Sequence, residues 1–305
     1  MLESEKSTMP RPIFTDPAYY TKAFNYSMSI GDNIEAVQKW TDEKFCGHVV
    51  EKLVANITDD KQLRVLGVGS GSGEIELFFL NKLLTKFPKI HTCVVEPSAT
   101  LLETYQAKIK AHATNITFDW ENHTLEGFVE KHHKNNHKYH FISAINSMYY
   151  VKDLNEALQS LYDMLVPGGI LQVAITADFT GYGKLWRTFP DLGSETLSQD
   201  GSPESDSSSS HHRDSGYIHD SLRQLQIPYY TDDYTCNYKI TKCFDEKESE
   251  EGNLALDFLT HTIGFRNAPK DLLQQVLACI KESCVQRGDQ WFFQSRNVSF
   301  FITKT

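Results

Sequence analysis

The chain has 305 residues, of which 40% are hydrophobic and 12% aromatic, which suits one large packed α/β domain. Its formal net charge of −10 disfavours a nucleic-acid partner, because a protein that grips phosphates needs a basic face. No stretch approaches the roughly 20 apolar residues of a membrane span. The 6 cysteines form no CxxC pair that would indicate zinc. We therefore expect a cytoplasmic protein with reduced thiols, no metal and no membrane partner.

Alternating strand and helix patterns dominate the first 176 residues. Residues 1–13 are expected to form a flexible tail, and apolar residues at helical spacing predict a helix over 33–55. Strands are predicted at 63–68, 91–96, 115–120, 139–145 and 169–176, and helices at 74–86, 98–112, 123–132 and 153–165. This alternation predicts a mostly parallel sheet with helices on both faces, whose ligands bind at the carboxyl ends of the strands.

A stretch rich in serine, glycine and acidic residues interrupts the pattern at 191–216, and we expect a disordered surface insertion there. The patterns after it predict a helix at 218–226, strands at 229–235 and 237–244, helices at 252–262 and 269–285, and a last strand over Val298–Thr303. The late strands would complete a seven-stranded sheet.

The segment after the first sheet strand is the most informative part of the sequence. The apolar run Val65–Val68 leads into Gly69-x-Gly71-x-Gly73, a helix pattern follows, and a second apolar run ends in Glu96. Glycines let the backbone approach a cofactor closely, and the carboxylate can accept both hydroxyls of a ribose. The spacing differs from the GxGxxG of dinucleotide sites, so it favours S-adenosylmethionine (SAM) as the cofactor.

A second turn points to the same fold. Residues 165–169 read Leu-Val-Pro-Gly-Gly between a predicted helix and a predicted strand, a turn that recurs in SAM-dependent methyltransferases. Together, the two turns and Glu96 predict a class I methyltransferase fold, a seven-stranded mostly parallel sheet with a small helical and aromatic substrate lid.

Methyl transfer from a sulfonium is an in-line displacement, which requires positioning of the acceptor and no covalent nucleophile. No catalytic side chain is therefore predicted. An aromatic box suits an amine acceptor, because ring faces hold planar or cationic groups; the same rings could equally be core residues. The candidates are Phe14, Tyr20, Phe24, Tyr149, Tyr150, Tyr182, Trp186 and Phe258. Asn146, at a strand end, would touch substrate or cofactor, or would cap a turn.

Several distinctive strings resemble the histamine N-methyltransferase family. They are Phe14-x-Asp16, Gly69-x-Gly71-x-Gly73-Glu74-Ile75, Val94-Val95-Glu96-Pro97-Ser98-Ala99, Tyr149-Tyr150-Val151-Lys152-Asp153, Lys184-Leu185-Trp186 and Asp257-Phe258-Leu259-Thr260. The resemblance runs from about Phe14 to Phe301 and skips the insertion. It implies one SAM-dependent methyltransferase domain over 14–305, monomeric and cytoplasmic, that methylates a small amine. Segments 14–55 and 177–262 would contribute the substrate pocket.

The resemblance also implies roles for individual residues. The residues that would contact SAM include Gly69, Glu96 and Ile145. Two further cofactor positions are Leu101 and Leu125, where the family has polar residues. At these two positions the backbone or Thr124 would make the contact. The aromatic pocket matches at Phe14, Tyr20, Phe24, Tyr150, Trp186 and Phe258, with Tyr182 replacing a tryptophan.

Two departures from the family bear on the substrate. Asn33 stands where the family has a glutamate, and Arg296, followed by Asn297, stands where the family has an asparagine just before the last strand. Losing an acid and gaining a guanidinium favours an acceptor with a carboxylate over an alkylammonium. Alternatively, Asp32 or Glu35 could replace the acid, and a shift of one residue would restore the asparagine as Asn297. The alternatives are therefore histamine, a carboxylated imidazole or other small amine, and a SAM-binding protein without turnover.

Overall fold

The computed structural model describes residues 10–57, 62–110, 115–132, 137–194, 212–245 and 248–305. They divide into two compact units. The sheet unit comprises the described parts of 34–175, 213–234 and 297–305, and the aromatic unit comprises those of 1–33, 176–212 and 235–296. The prediction of a single domain over 14–305 stays a prediction.

The strands are β1 (Arg11–Pro12), β2 (Leu63–Val68), β3 (Ile90–Val95), β4 (Ile116–Glu121), β5 (Tyr139–Ile145), β6 (Leu165–Thr176), β7 (Tyr230–Lys239), β8 (Thr262–Ile263), β9 (Cys284–Arg287) and β10 (Gln290–Thr303). The main sheet has the order β4-β3-β2-β5-β6-β10-β7, with β9 antiparallel to β10. β2 to β6 are parallel neighbours in this order. This mixed, mostly parallel sheet is that of the class I methyltransferase fold, as predicted. Among the described residues it has eight strands and not the predicted seven, because β9 pairs with β10 as an antiparallel hairpin.

The α-helices are α1 (Pro17–Ser29), α2 (Asn33–Trp40), α3 (Glu51–Asn56), α4 (Glu74–Leu84), α5 (Ala99–Lys110), α6 (Leu125–His132), α7 (Leu154–Asp163), α8 (Gly181–Thr188), α9 (Ser215–Gln224), α10 (Glu250–Thr260) and α11 (Lys270–Glu282). A π-helical segment, Thr41–Val50, joins α2 to α3, so the predicted helix over 33–55 is confirmed as one continuous helical stretch. The sequence analysis missed α1 and α8.

Three strand predictions are wrong by several residues. The last strand, predicted over Val298–Thr303, begins at Gln290. The strand predicted at 169–176 begins at Leu165, because the Pro-Gly-Gly turn is a bulge within β6: Tyr139 pairs with Leu165 and Phe141 already pairs with Ile170. The strands predicted at 229–235 and 237–244 are one strand, β7, followed by a 3-10 turn over Thr241–Phe244.

Parts of the expected tail and of the expected insertion have defined structure. Residues 1–9 and 195–211 lie outside the described residues. Ile13 is fully buried, and Arg11 and Pro12 pair with β8, so the tail does not extend to residue 13. Leu192 is 1% exposed, and the buried Asp214 accepts a hydrogen bond from the Gly216 amide at the start of α9. These residues are ordered because they are buried or cap a helix.

Burial in the sheet unit explains why its strands are near-continuous apolar runs. The side chains of β2 and β5 are buried on both faces, with only Arg64 and Ile145 partly exposed. Phe45 stacks on Phe79 at 4.7 Å between ring centroids, and Phe141 meets Phe45 edge-on at 5.6 Å. This packing fixes the strands whose carboxyl ends carry the candidate site.

Candidate functional site

A glycine turn connects β2 to α4 in the sheet unit. Gly69, Gly71 and Gly73 have φ angles of 64°, 57° and 84°, in the left-handed region that residues with a Cβ rarely adopt. The Gly69 amide donates to the Val95 carbonyl oxygen at 2.8 Å, and the Gly73 amide donates to the Ser70 carbonyl oxygen at 3.0 Å. The turn is therefore tied to β3 and also folded onto itself.

The three glycines differ in what a side chain would meet. A Cβ at Gly69 would overlap Ser147, and a Cβ at Gly73 would overlap the ring of Tyr105. At Gly71, apart from the glycine itself and its two chain neighbours, no heavy atom of the described residues lies within 4 Å of the Cβ position. Packing explains the first and third glycines, whereas Gly71 leaves a cradle that fits a cofactor lying against the backbone.

Glu96 follows β3 directly and is 5% exposed. Its Oε2 accepts a hydrogen bond from the Gly71 amide, and its Oε1 accepts one from the Ser98 amide, each at 2.9 Å. Asn122 Nδ2 in turn donates to the Glu96 and Pro97 carbonyl oxygens at 3.0 Å. A carboxylate has about four acceptor sites, so Glu96 can hold the turn and still accept from a ribose. The sequence pattern predicted the second of these roles only.

The carboxyl ends of three neighbouring strands carry these residues at one edge of the sheet. Because β2 is parallel to both β3 and β5, Gly69, Glu96 and Asn146 follow adjacent strands. Asn146 is exposed and has a φ of 52°, and its amide donates to the Ala174 carbonyl oxygen at 2.8 Å. Asparagine tolerates this left-handed conformation, so the turn alone can account for it. Tyr150, four residues on, is 58% exposed.

The other predicted cofactor residues lie in contrasting surroundings. Leu101 is 41% exposed on α5, whereas Leu125, the first residue of α6, is 6% exposed. Thr124 is exposed, and its hydroxyl accepts a hydrogen bond from the Gly127 amide at 3.2 Å, which caps α6. Ile145 is the half-buried last residue of β5. The Leu125 side chain belongs to the packing of its helix, so a ligand contact there would come from backbone or from Thr124.

Rings of the aromatic unit form one connected cluster. Tyr20 lies 6.1 Å from Phe24 and 6.2 Å from Phe258, measured between ring centroids. Tyr182 lies 6.4 Å from Phe258 and 5.3 Å from Trp186. This aromatic cluster contains six of the residues predicted for the substrate pocket: Phe14, Tyr20, Phe24, Tyr182, Trp186 and Phe258.

Two histidines that the sequence analysis did not assign to the site belong to this cluster. His212 Nε2 lies 3.2 Å from His261 Nδ1. Trp186 stacks on His212 at 5.0 Å and lies 4.9 Å from His261, which also meets Phe14 edge-on at 5.1 Å. The expectation that His212 sits in a disordered insertion is therefore wrong. Neither histidine stands in a motif, and tertiary packing alone brings them together.

The residues that depart from the family pattern are also in defined surroundings. Asn33 Nδ2 lies 3.2 Å from Met28 Sδ, and its Oδ1 is buried with no hydrogen-bond partner among the described residues. The Arg296 guanidinium lies 5.7 Å from the ring centroid of Phe179. Arg296 and Asn297 are consecutive within β10, not ahead of the last strand as predicted, so their side chains point to opposite faces.

A buried carboxylate braces two helices of the aromatic unit. Asp257 on α10 is 2% exposed, and its Oδ2 accepts from the Tyr19 hydroxyl on α1 at 2.7 Å and from the Gly264 amide at 2.8 Å. Its Oδ1 accepts from the Phe265 amide at 3.0 Å. Burial raises the pKa of Asp257, and these three hydrogen bonds oppose that effect. We read this acid as structural, because its oxygens are already engaged.

Metal-binding groups and membrane-spanning helices are two further features that bear on function. Within the described ranges, no group of three or more His, Cys, Asp or Glu side chains is placed to hold a metal ion. In the same part of the chain, no helix is both long enough and apolar enough to cross a bilayer.

Comparisons with known proteins relate the chain to methyltransferases. A sequence model of the family described as "Methyltransferase domain" matches residues 37–202. The chain is 28% identical to histamine N-methyltransferase A of Xenopus laevis over 306 residues, which are 96% of this chain and 98% of that protein. It is 28% identical to histamine N-methyltransferase of Mus musculus, over 96% of this chain and 97% of that protein. A solved structure of the plantazolicin methyltransferase BpumL, in complex with a triazolic desmethylPZN analog and SAH, is 13% identical over 96% of this chain and 93% of that chain, with a TM-score of 0.49.

Proposed function

Because the chain belongs to the methyltransferase-domain family, we propose that it transfers a methyl group from SAM to a nitrogen of a small amine. The observation that carries the proposal is the turn after β2. There Gly71 leaves open space beside the backbone, and Glu96 accepts a hydrogen bond from the Gly71 amide. Histamine is the first candidate acceptor, since relatives that match almost the whole chain bear the name histamine N-methyltransferase.

The edge of the sheet would hold the cofactor. SAM, when bound, supplies an electrophilic methyl group on a sulfonium. Gly71 would admit it beside the backbone, and Glu96 would accept hydrogen bonds from its ribose hydroxyls with the acceptor sites that the turn leaves over. Ile145 and Asn146 would line the same edge, and the exposed side chain of Leu101 would lie against an apolar part of the cofactor.

The aromatic cluster would hold the amine. The faces of Tyr20, Phe24 and Phe258 attract a cationic or planar group without offering a competing charge. A neutral imidazole nitrogen has its lone pair ready, since the ordinary imidazole pKa is about 6.5. An alkylammonium must lose a proton before it can accept a methyl group, and the His212–His261 pair would take that proton.

A panel assay tests this function. The purified chain is incubated with SAM and with histamine, histidine, other imidazoles and simple alkyl amines, and mass spectrometry identifies any product that gains one methyl group. We expect histamine to be methylated and Phe24→Ala to lower that rate severalfold, whereas Val54→Ala, at an exposed position on α3, leaves it unchanged. SAM binding without methylation of any amine would contradict the proposal and favour a protein that binds SAM without turnover.

A carboxylated acceptor is the second candidate, and Arg296 is the observation that favours it. Its guanidinium can form a bidentate pair with a carboxylate, which an asparagine cannot. Arg296→Asn should then raise the ratio of histamine to histidine methylation by about tenfold, or about 1.4 kcal/mol, with Asn297→Ala as the comparison on the opposite face of β10. If Arg296→Asn leaves that ratio unchanged, the carboxylated acceptor is ruled out.

We also propose that the enzyme works as a cytoplasmic monomer and does not methylate nucleic acid. The net charge of −10 supports the last point, because phosphates would be repelled.

A further inference from the structure

A buried acid lies directly behind the glycine turn. Glu76, the third residue of α4, is 5% exposed, and neither carboxyl oxygen has a hydrogen-bond partner in good geometry among the described residues. Gly67 on β2 makes room for it, since a Cβ there would overlap the Glu76 carboxyl and the Ser70 hydroxyl. An unpaired buried carboxyl is costly, so its presence at this place calls for a reason.

The groups around Glu76 leave its charge uncompensated. The Ser70 hydroxyl and the Tyr105 hydroxyl are also buried without a hydrogen-bond partner in the described structure. The ammonium of Lys108 is paired with Glu74 and donates to the Ser72 carbonyl oxygen. Cys93 on the adjacent β3 is buried, and burial raises the pKa of its thiol to about 12, so it stays neutral.

Burial also changes the protonation of the acid itself. It raises the pKa of Glu76 to about 7, and the nearby Ser70 hydroxyl opposes this only in part. At neutral pH the carboxyl is therefore divided between its neutral and ionised forms, and a cation arriving at the turn would shift it toward the ionised form.

We propose that Glu76 is a buried counter-charge of the cofactor site, which ionises when the cationic methyl donor settles on the glycine turn and which distinguishes SAM from its uncharged-sulfur product. The inference rests on the proposed function. Glu76 is a positioning residue, because it lies behind Gly67 and Ser70 and acts on the cofactor through the turn. Since SAM carries one positive charge more than S-adenosylhomocysteine (SAH), an anion here favours the donor and helps the product to leave.

Titration calorimetry of the whole chain tests this without measuring turnover. SAM and SAH are titrated at about pH 7 in two buffers of different ionisation enthalpy, which gives the number of protons released on binding. We expect release of up to about half a proton with SAM, and less with SAH. Glu76→Gln should abolish the release and reduce the preference for SAM over SAH by about fivefold. Glu103→Gln, at an exposed position on α5, is the matched control and should behave as wild type.

The wild-type chain alone provides a second test, so the result does not depend on the variant folding. Proton release should fall toward zero at about pH 9, where the carboxyl is already ionised. SAM binding without proton release, or release that persists in Glu76→Gln, would overturn this inference and leave the proposed function standing. No binding of SAM at all would overturn both.

Discussion

Glu76→Gln should make the stability of the ligand-free protein less dependent on pH. Burial raises the pKa of Glu76 from 4.5 to about 7, and at about 1.4 kcal/mol per pKa unit the difference corresponds to about 3 kcal/mol. Because the folded-state pKa is the higher one, this stabilising contribution is complete below about pH 4.5 and is lost as the pH rises through about 7. Glutamine keeps the size of the side chain and does not titrate.

The expected effect is a change in the unfolding free energy between two pH values. Between about pH 5 and about pH 8, wild type should lose about 2 kcal/mol or slightly more of unfolding free energy that the variant keeps. Any constant cost of burying the glutamine amide cancels in this comparison. Thermal unfolding followed by circular dichroism would show it as a rise of about 4 °C in the Tm of the variant relative to wild type, at about 2 °C per kcal/mol.

Glu103→Gln again serves as the control, since its carboxyl is exposed on α5. A Tm difference between Glu76→Gln and wild type that stays the same at both pH values would refute the reasoning. It would mean that the carboxyl is solvated or paired in the folded protein at neutral pH.

Three further changes test the site and its framework. Gly71→Ala should keep the fold, since the left-handed conformation costs alanine about 1 kcal/mol. It should weaken SAM binding at least about tenfold in calorimetry, because the added methyl group fills the space beside the backbone. Unchanged binding would show that SAM does not approach the turn. Asp257→Ala should lower the unfolding free energy by about 3 kcal/mol in urea titrations, because three donors lose their acceptor, whereas Tyr19→Phe should cost only about 1 kcal/mol; equal effects would contradict the bracing role. Phe24→Ala should raise the KM for the amine severalfold in steady-state assays and leave the Kd for SAM as it was, and a change in Kd alone would place this ring elsewhere.

The sheet was predictable because its signals are local. The apolar runs of β2 and β5 are bounded by turns, and both strands have the predicted ends. The glycine turn needs positive φ angles, which glycine adopts at little cost, so the conformation of this turn could be predicted from the sequence. The Pro-Gly-Gly bulge in β6 was misread as a helix end, because the pairing of Tyr139 with Leu165 that keeps it in the sheet is a tertiary contact.

The candidate site was predictable only where a motif marks it. His212 and His261 are 49 positions apart, and only packing on Trp186 brings them together. Glu76 did leave a signal that was passed over, because it is the single charged residue in the otherwise apolar run Ile75–Leu80. The role of Glu96 in holding the turn, where it accepts a hydrogen bond from the Gly71 amide, has no signature in the sequence.

Leu101 and Leu125 differ in how well each position should tolerate a polar substitution. Both positions were predicted to face the cofactor, but one side chain is 41% exposed and the other 6%. If Leu101 contacts the cofactor as predicted, a polar replacement there should change the affinity for the cofactor with little effect on folding, because exposed positions usually tolerate substitution. The same replacement at Leu125 removes apolar contacts that anchor the first turn of α6, at a cost of about 2 kcal/mol or more. A polar residue should therefore be better tolerated at Leu101 than at Leu125 in this chain, although the family has polar residues at both positions.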